Sequence, residues 1–78
     1  MTMTAHLLNV EDVIENEIRL GATQKSVAMT YALALKSDWP TDWGRVNAAI
    51  RARWPRGLDR IKAMAWSGKC FDAPKEQP

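Results

Sequence analysis

Residues 23–36, TQKSVAMTYALALK, decide the fold. Val27, Tyr31 and Leu35 recur at helical spacing on one face, Met29 and Leu33 lie nearly opposite, and between Val27 and Leu35 only Thr30 is polar. A helix that is apolar on two sides must pack on both or leave one side for a partner, so this segment is the central helix of an all-α protein. Thr23 is a suitable N-cap. Ser37-Asp38-Trp39-Pro40 ends the pattern, because a residue before proline is steered out of the helical region.

Toward the N-terminus, Asn9 can cap and Gly21 can terminate a helix whose apolar positions are Val10, Val13, Ile14, Ile18 and Leu20. Leu8 can staple onto Val13. Glu11, Asp12 and Glu15 form one stripe on the opposite side and are expected to face solvent, with Glu15 placed four residues before Arg19 in the favourable order for a pair. Glu17 projects into the apolar arc, where an unpaired carboxylate is costly, so it requires a partner or an exit to water.

Toward the C-terminus, Thr41 is expected to cap a third helix with Asp42 in its first turn. Trp43, Val46, Ile50 and Trp54 face inward until Pro55 stops the run. A short last helix starts near Gly57 or Leu58 without a strong cap, turns Leu58, Ile61, Met64 and Ala65 inward, and ends at Ser67-Gly68. Asn-Gly and Asp-Gly turns and alternating β-branched runs are absent. The pattern predicts a compact bundle of about four short helices with frayed termini: residues 1–8 an N-terminal tail, 9–68 a single helical domain, 69–78 a flexible C-terminal tail.

At 78 residues, 46% apolar and a net charge of +2, the chain has the composition of one small globular domain, at a size where self-association helps. One Cys excludes an internal disulfide, and with one His it excludes a four-ligand His/Cys zinc site. His6 and Cys70 sit in opposite tails, and the glycines are isolated, so neither a Cys-His nucleophile nor a phosphate-cradling loop is expected. The reading is of a cytoplasmic binding protein with no cofactor, no metal, no membrane segment and no catalysis.

Charge is strongly segregated along the chain. Residues 1–22 carry four acids against Arg19, a local −3, whereas residues 45–70 carry Arg45, Arg51, Arg53, Arg56, Arg60, Lys62 and Lys69 against Asp59 alone, a local +6. Arginine forks onto phosphate or carboxylate and stacks on flat rings, so a nucleic-acid backbone or an acidic protein patch would each match this half; so would a solvated face partly neutralised by the first helix. Arg45, Arg51 and Arg53 scatter around the third helix, while Arg56, Arg60 and Lys62 cluster better. Four tryptophans exceed what so small a core can enclose, and Trp39, in a loop, and Trp66, beside Lys62 and Asp59, are the candidates for exposure and contact.

The segment Gly21–Ala28, GATQKSVA, resembles the opening helix of helix-turn-helix repressors. Such motifs need a short turn about one helical turn later, whereas Tyr31-Ala32-Leu33-Ala34-Leu35 continues the helix. The recognition helix would then be residues 41–54, turned inward by Trp43 and Trp54. Tyr31-Ala32-Leu33-Ala34-Leu35, Asp42-Trp43, Val46-Asn47-Ala48-Ala49-Ile50, Arg53-Trp54 and Arg60-Ile61-Lys62 together resemble small helical accessory proteins encoded by phages and prophages, a class that includes anti-CRISPR inhibitors. That resemblance implies a binder that modifies a host or phage machine. Three functions follow as expectations: steric inhibition of a nucleic-acid-handling protein complex, through the basic half or through Glu11, Asp12 and Glu15 as a phosphate mimic; direct DNA binding by a small regulator; or a structural homo-oligomer, such as a homodimer, formed on Met29 and Leu33.

Overall fold

The computed structural model describes residues 9–68, so the expectations placed on residues 1–8 and 69–78, including Leu8, His6, Lys69 and Cys70, lie outside the described residues. Four helices follow in order: α1 (Val10–Arg19), α2 (Gln24–Ser37), α3 (Trp43–Arg53) and α4 (Leu58–Ser67). The all-α bundle is as the periodicity predicts. Each helix packs on two others, α2 most closely with α4 and α1 with α3, while the backbones of α2 and α3 stay apart.

One or two side chains per helix form the sealed centre: Ile14, Val27, Val46, Ile50 and Ile61, all without accessible surface. Trp43, Trp54, Leu58 and Met64 close over it from the edges. Leu35, expected inside with Val27 and Tyr31, is partly exposed. The buried positions of α2 are instead Val27, Ala28, Tyr31, Ala32 and Ala34. Small side chains let helix axes approach closely, so alanines take over the packing that a longer leucine would obstruct.

Local chemistry sets the helix ends. Thr23 accepts the Ser26 amide at 3.1 Å and caps α2 as expected. At α3 the cap is Asp42, whose Oδ1 accepts the Arg45 amide at 3.1 Å; Thr41, the expected cap, turns its hydroxyl back to donate to the Trp39 carbonyl at 2.6 Å. Asn9 sits at the N-cap of α1 without a side-chain capping bond. Asp38 closes α2 in the left-handed region at φ 54°, which a short polar side chain tolerates.

Contacts between helices give their directions. Glu11 meets Asp42 and Glu15 meets Arg45, so α1 and α3 run in the same sense. Gln24 lies against Gly57 and Tyr31 against Trp66, so α2 and α4 share the opposite sense. Side chains alone join α2 to α3: the Tyr31 and Trp43 rings are 4.6 Å apart between centroids, and the Tyr31 hydroxyl donates to Asn47 Oδ1 at 3.3 Å.

Gly57 permits the corner between α3 and α4. Its backbone is ordinary, but a Cβ there would lie 2.7 Å from Trp54 Cβ and 3.3 Å from Gln24 Nε2, so the turn closes only without a side chain. Gly57→Ala should therefore lower the melting temperature, by overpacking worth roughly 1–3 kcal/mol. Gly44→Ala, whose added methyl meets only Asp42 Oδ1 at an ordinary 3.4 Å, should leave the melting temperature unchanged or raise it. Thermal unfolding followed by circular dichroism compares the two.

Candidate functional site

The acidic stripe of α1 faces water only in part. Glu11 is only 5% exposed, and its Oε1 accepts the Asp42 backbone amide at 2.8 Å. The start of α3 packs over the first turn of α1, and its leading amide, which has no partner within its own helix, takes the carboxylate as acceptor. That hydrogen bond holds the Glu11 carboxyl below its ordinary range against an opposing effect of desolvation.

Asp12 and Glu15 remain half-exposed and close on Arg45. Its Nη2 donates to Glu15 Oε1 at 2.7 Å and to Asp12 Oδ1 at 3.2 Å, while Nε donates to Glu15 Oε2 at 3.1 Å. The hydrogen bond to Glu15 leads the causes that raise the guanidinium pKa still further. Two sequence expectations are corrected here. Glu15 pairs with Arg45 instead of Arg19, which turns its own guanidinium to Asn16 Oδ1. Glu11, expected to face solvent, belongs to the interior; Arg45, grouped by sequence with the contact arginines, is exposed and forks onto Glu15.

Glu17 finds the partner that its position demands. The Thr30 hydroxyl reaches both carboxylate oxygens, at 3.0 Å and 2.9 Å, as a single donor shared between them. Desolvation outweighs this bond and pushes the Glu17 carboxyl above its ordinary value.

Quite different surroundings hold the other arginines. Arg51, Arg53, Arg56 and Arg60 are exposed, and among the described residues none forms an ion pair. They gather at the end of the bundle where α1 and α3 finish and α2 and α4 begin. Two open clefts lie there. One, of about 440 Å³, is lined by Gln24, Trp54, Pro55, Arg56, Gly57 and Arg60. The other, of about 380 Å³, is lined by Arg51, Pro55, Arg56, Leu58 and Asp59. Arg56 borders both.

The guanidinium of Arg53 lies over the Trp54 ring, 5.2 Å from its centroid. Gln24 Oε1 is buried without a hydrogen-bond donor. Lys62, grouped by sequence with Arg56 and Arg60, lines neither cleft: two residues from Arg60, it points to another side of α4.

Both indoles singled out for contact are open to solvent, Trp39 at 53% and Trp66 at 63%. They do not join the basic corner. Trp66 borders a cleft with Ala32, Leu35, Lys36 and Ala65, near Tyr31. Trp39 borders an apolar groove of about 160 Å³ with Val10, Val13, Thr30, Leu33 and Ala34.

Gln24 and Gly57 are members of the corner that sequence reasoning missed. Gln24 reads as an ordinary first-turn residue, and Gly57 reads only as a possible start of the last helix. No group of described acidic, His or Cys residues could hold a metal ion, and no described helix is long and apolar enough to cross a membrane. Comparison with protein-family models, curated proteins and solved structures found no match.

Acid titration separates the two buried carboxyls. The folded-state pKa of Glu11 is lowered, so its stabilisation stands in full above the ordinary value of 4.5 and disappears as pH falls through the depressed one. Glu11→Gln should therefore flatten the acid limb of stability. For Glu17 the raised value carries the opposite sign: its destabilisation is complete above the folded pKa and vanishes below the ordinary 4.5. Glu17→Gln, which keeps an acceptor for Thr30, should raise the melting temperature at pH 7. That gain should be lost below about pH 4. Melting curves of both variants across the acid range provide the measurement.

Proposed function

We propose that the protein is a non-enzymatic accessory factor that binds a nucleic-acid-handling complex through its α3–α4 corner and modulates that complex by steric occlusion. One observation carries this reading. Arg45 is taken up within the fold by Asp12 and Glu15, while Arg51, Arg56 and Arg60 line two open clefts and Arg53 lies over Trp54 beside them, all four exposed and without ion pairs among the described residues. A surface with this excess of positive charge, four arginines against Asp59, favours a polyanionic partner and accelerates its encounter. The resemblance of the sequence to phage-encoded accessory proteins, anti-CRISPR inhibitors among them, points to the same class of target.

Phosphate mimicry by α1 gains no support, because Glu11 is sealed and its neighbours hold Arg45. Nor does the helix-turn-helix route, since α2 and α3 do not pack backbone to backbone as such a pair must.

Affinity capture from a bacterial lysate, with and without nuclease, tests the reading. The wild-type protein should retain proteins of a nucleic-acid-handling complex in at least one condition. A variant with Arg51, Arg53, Arg56 and Arg60 all replaced by Ala should retain them in neither. Equal retention by the variant, or none by the wild type, would overturn the assignment of the corner.

A further inference from the structure

We infer that the larger cleft at the basic corner seats an unpaired nucleotide, so that the corner binds single-stranded nucleic acid in preference to duplex. This rests on the corner being the contact surface and names its ligand.

The cleft has a suitable size. Its volume of about 440 Å³ lies within the range of ~300–1,000 Å³ usual for small-ligand sites. Its walls present three different chemistries. Trp54 supplies a flat apolar surface, already stacked with the Arg53 guanidinium, and a base can extend such a stack. Arg56 and Arg60 supply guanidinium forks for phosphate oxygens. Gln24 lines the wall, and its Oε1 is closed off from solvent without a donor within the protein; a turn of the carboxamide toward the cleft would let it accept from an N–H at the edge of a base.

Continuity beyond the first cleft points to a strand and not to a lone nucleotide. The second cleft shares Pro55 and Arg56 with the first and adds Arg51 to the lining. Arg56 thus stands between two neighbouring seats, where a phosphate linking two nucleosides would lie. A guanidinium-lined groove with an aromatic platform is the usual arrangement for holding an unpaired strand without strong sequence preference. Duplex is a poorer match, because its bases are already stacked on each other and cannot use Trp54 or Gln24. An acidic peptide would satisfy the guanidinium groups, yet its carboxylates bring neither a ring to the indole nor a donor to Gln24.

Asp59 lines the second cleft and opposes phosphate there. The first cleft, with no acid in its lining, is therefore assigned as the principal seat.

Fluorescence anisotropy of the full chain with a labelled oligothymidylate of about 15 nucleotides, the matching duplex and poly-glutamate tests the inference. The single strand should bind about tenfold more tightly than the duplex, with affinity falling steeply between about 50 and 200 mM salt. Arg56→Ala and Arg60→Ala should each weaken it and reduce the log–log salt slope by about 0.7. Gln24→Ala should weaken the single strand by roughly three- to tenfold with the slope unchanged, because it removes a base contact and no charge.

Circular dichroism of each variant confirms that the helices persist, and removal of an unpartnered amide gives no reason for Gln24→Ala to unfold. No binding of the oligonucleotide at low salt, or equal affinity for duplex, would overturn the inference. Tighter binding of poly-glutamate that is lost in the arginine variants would also reject the nucleotide while leaving the corner as the contact surface.

Discussion

The Asp42 amide at the start of α3 and the Arg45 guanidinium one turn later both take their acceptors from α1, and this clasp fixes which charges remain available to another molecule. Without it, α1 would present three carboxylates to water and Arg45 would join the basic surface. With it, Glu11 becomes the acceptor for a helix terminus, and Asp12 and Glu15 share one guanidinium, which offsets part of the negative charge of α1. Exposed ion pairs contribute little to stability, so the value of the clasp lies in orientation: it aligns α1 with α3.

That alignment distributes charge along the bundle. Since α1 and α3 finish at the end where α2 and α4 begin, the late arginines of α3 and the early arginine of α4 meet across the 54–57 turn. Gly57 lets this turn close, because any side chain would collide with Trp54. A charge asymmetry between halves of the sequence thus becomes an asymmetry between ends of the molecule. Exposed guanidinium groups around one end of the bundle repel one another, and a polyanion reduces that repulsion as it binds.

Much of this was legible, and the failures have physical causes. Helix existence, the caps at Thr23 and Gly68, and the exposure of Trp39 and Trp66 follow from spacing and local chemistry, which sequence displays directly. The need of Glu17 for a partner was legible too, though not that Thr30, thirteen residues away, would provide it. Glu11 was misplaced because a helical projection shows which residues oppose the apolar arc of their own helix, not which of them a second helix will cover. Arg45 is exposed on the polar side of its helix as the projection has it; what a projection cannot show is that α1 supplies its acceptors. Lys62 was grouped with Arg60 on nearness in sequence, whereas two residues along a helix turn a side chain through about 200°. Gln24 could not be found, because its significance is an unmet hydrogen bond, which exists only once the neighbours are in place.

Self-association through α2 is the remaining use of its second apolar face, where Met29 and Leu33 are exposed as the double-sided pattern anticipated. Two large side chains per copy make only a small apolar contact, below what a stable dimer usually buries. The face also lies apart from the arginine corner. Contact through Met29 and Leu33 and contact through the arginines therefore use different surfaces of the bundle, and one need not displace the other.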